Sequence, residues 1–528
     1  MNEKITVKNT CIVINDYNLG DCPNLEQLFS VYDPIKHKYE SFGTFYDEEN
    51  KKLYLPAGVD LWKIKQYFNE KYFERLFHHK YKKIDNIKIK YTPRDDVQYE
   101  AIYFMCGINE YEANANLNQL SLNLNTGKGK TYCSIATICY FQIKTIIITA
   151  SNSLLSQWKS EILKYTNLQD KDIMQLNGSD VCNMILSGKS NKANNASIFL
   201  CSHGTLRSFG DTYGWNKVYE LFVKLGIGIK IFDEAHQNYE NMLMIDYFTN
   251  VFKTYYVTAT SARSDWKENR IFQISLKNVP HIDLFDETKD KHTSYIAIKW
   301  NSKPSPLQIS MCKNPMYGLD RNKYVDYVTK KPEFYSMMRI IMDLVIKCKG
   351  RVLMYIGTND GILRLYHWIS TNYPEFLGDI GIFTSLVSKE QKLIEKQKKL
   401  ILTTTKSAGV GEHIEHLKMT IVLAEPFKSE VLARQTLGRT RDDNTMYIEL
   451  VDLGFKYIRK YYYAKLPIFN KYASDVSDMT IDQYELDKRV DRLLSARERE
   501  KQGRVSPIIF KDDRFDFNSI LPKSNNDN

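Results

Sequence analysis

Two short stretches of the chain carry residue types whose spacing suits the chemistry of phosphate groups. The first is Thr126-Gly127-Lys128-Gly129-Lys130-Thr131. Its glycines let the backbone curl so that several N–H groups point at one centre. Lys130 adds a point charge and the Thr131 hydroxyl can ligate Mg2+, so the hexapeptide suits the β- and γ-phosphates of a nucleotide such as ATP. The same letters can arise by chance in a lysine-rich loop. The flanks favour the phosphate reading: the apolar run QLSLNL precedes the turn, and a segment of helical period, YCSIATICYF, follows it. One departure is that Leu124 stands at the first small position of the usual phosphate-loop pattern. The second stretch is IKIFDEAH, in which an apolar run ends in two acids, Asp233 and Glu234. Ligands bind beyond the carboxyl ends of strands in open α/β sheets. Asp233 is therefore expected to hold Mg2+ through water, and Glu234 to polarise an attacking water as general base.

Such residues need a parallel sheet to hold them, and the chain is patterned for one. From about residue 93, β-branched apolar runs alternate with longer segments of helical period. The runs fall at 119–124, 145–150, 198–201, 229–233 and 254–259. After a polar, proline-containing stretch at 287–333 they resume at 351–356, 380–385, 399–405, 419–424 and 446–452. This predicts an α/β protein with two such units in tandem. Residues 1–92 read differently. Strand-like CIVIN (11–15) and KLYLP (52–56) accompany a helical stretch over about 60–78, which predicts a small α+β accessory unit. The expected domains are 1–92, then 93–290 as the first α/β unit, 291–333 as a linker, 334–465 as the second α/β unit, and 466–528 as a helical extension with a polar tail.

Length and composition agree with this. At roughly 150 residues per domain, 528 residues make three or four globular units. Hydrophobic residues are 43% and charged residues 26%, enough to build cores without staples and too apolar for disorder as the main state. No apolar run approaches the roughly 18 residues that cross a bilayer, and the first twenty residues lack a secretory layout. The nine cysteines are scattered singly, without zinc spacing, which suits reduced thiols in a cytoplasm. Lysine and arginine number 73 against 63 acids, a net charge of +10. That excess suits a polyanionic partner, and equally suits simple solubility.

The order of the motifs carries a resemblance. After the phosphate loop come FDEAH, Thr258-Ala259-Thr260, RVLMYIGTNDG, LTTTKSAGVGEHI and QTLGRTR. In this order they resemble motifs of the superfamily 2 DEAD/DEAH-box helicases, and the resemblance spans roughly residues 94–443. It implies two tandem RecA-like domains with P-loop NTPase sheets, ATP and Mg2+ as cofactors, and nucleic acid as partner. It further implies that His236 and Thr258-Ala259-Thr260 link nucleotide state to substrate. Gln435, Arg439 and Arg441 would reach the phosphates from the second domain, where an arginine stabilises charge on the transferring phosphoryl group. The family's last arginine falls on Asp442 here, so its role passes to Arg441, and His413 stands where many relatives carry an acid. Arg94 and Gln98 resemble the adenine-reading Q motif, although a plain helix start uses the same residues. TIIITASNSLLSQWKSEILKY is similar to motif Ia, whose early residues meet the nucleic-acid backbone. Gln157 and Trp158 are expected to pack in the core.

Within that superfamily the short DEAH core, TATSARSD, QTLGRTR and LYLPAGVD resemble the compact viral and phage DNA helicases. Among these are the recombination helicases of T-even phages and the transcript-release helicases of poxviruses. This resemblance implies an ATP-dependent helicase or translocase that moves on single-stranded or branched DNA, in a host cytoplasm or a virion. An RNA or transcript-release helicase would share every catalytic residue, and an ATP-gated clamp without unwinding is the other alternative. The cluster His78 to Lys83 suits either phosphate tracking with base stacking or a solvated helix end. KYIRKYYYAK at 456–465 is expected to pack on the second α/β unit, with its lysines and Arg459 outward.

Overall fold

Short apolar runs become buried strands, and among the described residues the strands assemble into three large sheets and one two-stranded ribbon. The computed structural model describes residues 4–33, 37–41, 43–124, 127–190, 193, 195–258, 266–284, 291–314, 318–408, 414–439, 445–482, 488 and 491–492. The chain divides into two units, Met1–Phe285 and Asp286–Asn528.

The N-terminal part of the first unit holds β1 (Ile5–Val7), β2 (Cys11–Ile14), β3 (Ser30–Asp33), β4 (Lys38–Ser41), β5 (Phe45–Asp47), β6 (Lys52–Pro56) and β7 (Phe73–Arg75). Five of them form a sheet in the order β5-β6-β2-β1-β7, and β3 and β4 form a separate antiparallel ribbon. The helix expected over about 60–78 does not form. A short helix, Leu61–Lys65, is capped by Asp60, a 3-10 turn at Glu70–Tyr72 is capped by Asn69, and the chain then runs parallel to β1. Ile64, Tyr67, Phe68 and Phe73 all pack into one core with Ile5, Ile14 and Leu55. On a continuous helix Phe73 would lie about half a turn around from Ile64 and could not reach that core. The sheet is seated on the rest of its unit. The Asn9 backbone N–H donates to Asn250 Oδ1 at 3.0 Å, and Arg75 donates to Asn9 Oδ1 at 2.7 Å and to Asn118 Oδ1 at 3.0 Å.

The first unit continues with β8 (Gln119–Leu124), β9 (Thr145–Thr149), β10 (Ile173–Leu176), β11 (Ile198–Ser202), β12 (Ile229–Asp233), β13 (Lys253–Thr258) and β14 (His281–Leu284). They form a parallel sheet in the order β10-β11-β9-β12-β13-β8-β14. Alternate residues feed opposite faces, as strand pleating requires. Ile146, Ile148, Phe199 and Phe232 enter one core, and Ile147, Leu200, Ile231 and Tyr255 enter the other. Cover on both faces explains why β9 and β11 read as nearly unbroken apolar runs.

The second unit repeats the plan with β15 (Thr293–Trp300), β16 (Arg351–Ile356), β17 (Ile380–Phe383), β18 (Leu400–Thr403), β19 (Leu417–Ala424), β20 (Thr445–Asp452) and β21 (Asp475–Thr480). All pair in parallel, in the order β17-β18-β16-β19-β20-β15-β21. Segment 291–333, expected as a linker, is instead part of this unit. β15 lies between β20 and β21, and the helix Arg321–Val328 buries Tyr324, Val325 and Val328. The helix Lys456–Tyr472 runs through the boundary expected at 465/466, and Tyr295 stacks on its Phe469 at 3.8 Å. Lys456, Arg459 and Lys460 point outward as expected. Lys465 does not: it is buried, bonded to Glu449, and lies 4.1 Å from the Phe427 ring centre. Most of the charged segment 484–502 and all of the polar tail lie outside the described residues. Among the described residues no helix is long and apolar enough to cross a membrane.

Candidate functional site

Neighbouring parallel strands carry their C-terminal ends to one edge of the first α/β sheet. β13 lies between β12 and β8, with Val257 opposite Asp233 and Thr258 opposite Asn123. β8 leads into the phosphate loop. Gly127 and Gly129 have φ of 87° and 91°, where L side chains are strained. A Cβ at Gly129 would lie 2.3 Å from Gln98 Nε2. The helix Lys130–Phe141 starts there, and Gly129 at its cap offers no side-chain acceptor to the first N–H groups. Those N–H groups and the positive helix end make a place for an anion. Lys130 Nζ donates to the Leu124 carbonyl at 3.2 Å and lies 3.9 Å from Glu234 Oε1. Thr131 is half-buried in the same first turn. Thr126 lies outside the described residues.

Asp233 ends β12 with both carboxylate oxygens engaged. Oδ2 accepts the Trp158 indole N–H at 2.7 Å, and Oδ1 accepts the Glu234 backbone N–H at 3.0 Å. Burial first, and the Glu234 charge second, push the Asp233 carboxyl up to about 6, against the Trp158 hydrogen bond and the Lys130 charge. Glu234 takes φ of 52°, a left-handed conformation uncommon for a non-glycine residue, and so turns the chain sharply off the strand. Its Oε2 lies 3.1 Å from His236 Nδ1, which lies 2.9 Å from Thr258 Oγ1. His236 thus joins the acid to the end of β13. Ala259 and Thr260 lie outside the described residues.

Gln98 is both a helix-start residue and a neighbour of the loop. Its backbone N–H is capped by Asp95, while its side chain donates to the Lys128 carbonyl at 3.0 Å. Trp158 is buried as expected, but its contact with Asp233 was not foreseen. The only general signal is that a buried indole N–H needs an acceptor. The His78–Lys83 cluster is not helical. The His78 ring packs on Tyr81 and Phe252, His79 packs on Tyr219, and Lys80, Lys82 and Lys83 are exposed.

In the second unit, Arg439 follows the helix Glu430–Leu437 and is buried, with its charge opposing the upward push of burial on the Tyr355 hydroxyl. Gln435 lies on that helix, with its side chain outside the description, and Arg441 and His413 lie outside the described residues. Two residues that the motifs did not single out organise this edge. Glu425, just past β19, accepts the Thr405 backbone N–H at 3.0 Å and the Thr405 hydroxyl proton. Arg321 Nη2 lies 2.9 Å from Glu425 Oε1 and donates to the Gly357 carbonyl at 3.0 Å. An acid directly after an apolar strand, the signal that marked Asp233, also marks Glu425. Arg321 has no such signal.

Among the described residues no group of three or more His, Cys, Asp or Glu could hold a metal by itself. Hydroxyl and carboxylate oxygens such as those of Thr131 and Asp233 do suit Mg2+, which commonly takes one or two protein ligands and completes its shell with water and phosphate. Two parallel sheets, the first with a phosphate loop and an acidic turn at its carboxyl edge, define a tandem RecA-like protein of the P-loop type. Comparisons agree. Residues 75–263 match the family described as Type III restriction enzyme, res subunit. Protein 161L of Invertebrate iridescent virus 6, a helicase by designation, is 24% identical over 381 residues, covering 67% of this chain and 76% of that protein. The crystal structure of T4 UvsW aligns over 91% of this chain and 99% of its own, with 13% identity and a TM-score of 0.33. S. cerevisiae Dbp5 bound to RNA and ADP BeF3 aligns over 76% and 93%, with 15% identity and a TM-score of 0.47. The chain is thus similar to superfamily 2 helicases, with a viral helicase among the proteins it matches.

Proposed function

We propose that the protein is a nucleic-acid-dependent ATPase that moves on, and remodels or unwinds, DNA, with preference for single-stranded or branched forms. The observation that carries the ATPase reading is the gathering of Lys130, Asp233, Glu234, His236 and Thr258 at one sheet edge, with Lys130 3.9 Å from Glu234. In this reading the backbone of Gly127 to Lys130 cradles the phosphates of ATP. Thr131 and Asp233 hold Mg2+, which supplies charge neutralisation to those phosphates. Glu234 accepts a proton from the attacking water. His236 passes the state of Glu234 to Thr258 and the following Ala259 and Thr260. The helicase resemblance gives Gln435, Arg439 and Arg441 the part of phosphate-contacting residues, and Gln98 braces the loop. The DNA preference rests on the resemblance to compact viral and phage helicases, with the net charge of +10 consistent with a polyanion.

The test is steady-state ATP hydrolysis without nucleic acid, with single-stranded DNA, with forked DNA and with single-stranded RNA, using Glu234→Gln as the blank. Stimulation by DNA, greatest on the fork, supports the reading. Full stimulation by RNA alone replaces it with a transcript helicase. No hydrolysis under any condition removes the motor reading and leaves an ATP-gated clamp.

A further inference from the structure

Trp158 lies on the helix Ser153–Tyr165, 75 residues before Asp233. Packing accounts for its ring, which belongs to the core with Leu155, Ile162 and Ile231. Packing does not account for the direction of its indole N–H. That group donates to Asp233 Oδ2 at 2.7 Å, between two side chains that are each more than nine-tenths buried. The Glu234 backbone N–H holds the other oxygen at 3.0 Å. One fixed donor on each oxygen sets the plane of the carboxylate. Each oxygen has a second lone pair, so the carboxylate can still face a hydrated cation.

We propose that Trp158 is a positioning residue for Asp233, holding the carboxylate in the orientation that receives the Mg2+ accompanying a bound nucleotide. Donors behind a metal-binding side chain set its orientation, and their loss commonly weakens metal binding. Without the indole N–H, Asp233 Oδ2 keeps its burial and loses its partner, and the carboxylate is free to rotate away. This inference rests on the ATP reading of the site and adds to it a residue outside the phosphate loop and the acidic turn.

The experiment uses the full chain and Trp158→Phe, which keeps an aromatic ring and removes the donor, with thermal melting to establish folding. Calorimetric titration with ADP is run in EDTA and in excess Mg2+. Wild type should bind ADP more tightly with Mg2+. In Trp158→Phe the affinity in EDTA should be retained, while the gain from Mg2+ should shrink by about tenfold or more. Hydrolysis should need a correspondingly higher Mg2+ concentration for half-maximal rate. Ile162→Val, a change in the same helix and core without a polar group, should leave the Mg2+ gain unaltered. If the phenylalanine variant does not fold, benzothienyl-alanine at position 158, a near-isostere lacking the N–H, provides the same comparison. A folded variant whose Mg2+ gain is within twofold of wild type makes Trp158 a packing residue only and overturns the proposal. A wild type that binds no nucleotide overturns the ATP reading itself, and this inference with it.

Discussion

Gln98 donates its side-chain amide to the Lys128 carbonyl at 3.0 Å and accepts the Arg94 backbone N–H at 2.9 Å. One side chain therefore ties the start of the helix Asp96–Cys106 to the backbone of the phosphate loop. The loop depends on two left-handed glycines, a conformation with few contacts of its own, so an outside brace has much to add. Gln98→Ala should raise the KM for ATP about tenfold, the loss of one or two hydrogen bonds, with a smaller effect on kcat. An unchanged KM would show that the loop holds its shape unaided.

Lys130→Ala and Glu234→Gln remove the loop's point charge and the candidate base. Each should lower kcat by about a hundredfold or more, the usual weight of a general base or a phosphate-binding cation. DNA binding measured by fluorescence anisotropy should be largely retained. Turnover at the wild-type rate by either variant would refute the site.

Arg321 and Glu425 form a charge pair that joins Gly357 and Thr405 in the second unit. Glu425 is fully buried, while Arg321 is part-exposed and its contribution is screened to that extent. Arg321→Ala would leave a buried carboxylate with less compensation, at a cost of about 2–3 kcal/mol. Urea unfolding should register that loss, and Arg321→Met with Glu425→Leu should recover part of it. A single variant as stable as wild type would show that solvent replaces the arginine.

His203 is fully buried against Phe232, and burial lowers its pKa from 6.5 to about 4. The unfolded chain takes up its proton below 6.5 and the folded chain only near 4, so the folded state loses stability as pH falls between those values. Going from pH 7 to pH 5 should cost about 2 kcal/mol through this residue. His203→Phe should remove that part of the acid sensitivity in parallel urea titrations. Equal pH dependence in the two proteins would place the ring in contact with water.

By itself the amino-acid sequence determined the parts of this protein that local chemistry decides. Strands covered on both faces are rich in apolar residues, so 119–124, 229–233 and 351–356 were legible at their observed bounds. Phosphate-loop glycines and strand-end acids are equally local, because a left-handed turn and a carboxylate at a sheet edge each need particular residues at particular places. Tertiary structure alone decided the rest. Segment 60–78 has helical period, yet Phe73 reaches the Ile5 core only by leaving the helix and pairing with β1. Segment 291–333 looks polar, yet β15 finds buried neighbours in β20 and β21. The links Gln98 to Lys128, Trp158 to Asp233 and Arg321 to Glu425 join residues far apart in the chain. No spacing rule connects such partners, because their contact depends on sheet order and on which side chain is left, once the cores are packed, to satisfy a buried polar atom.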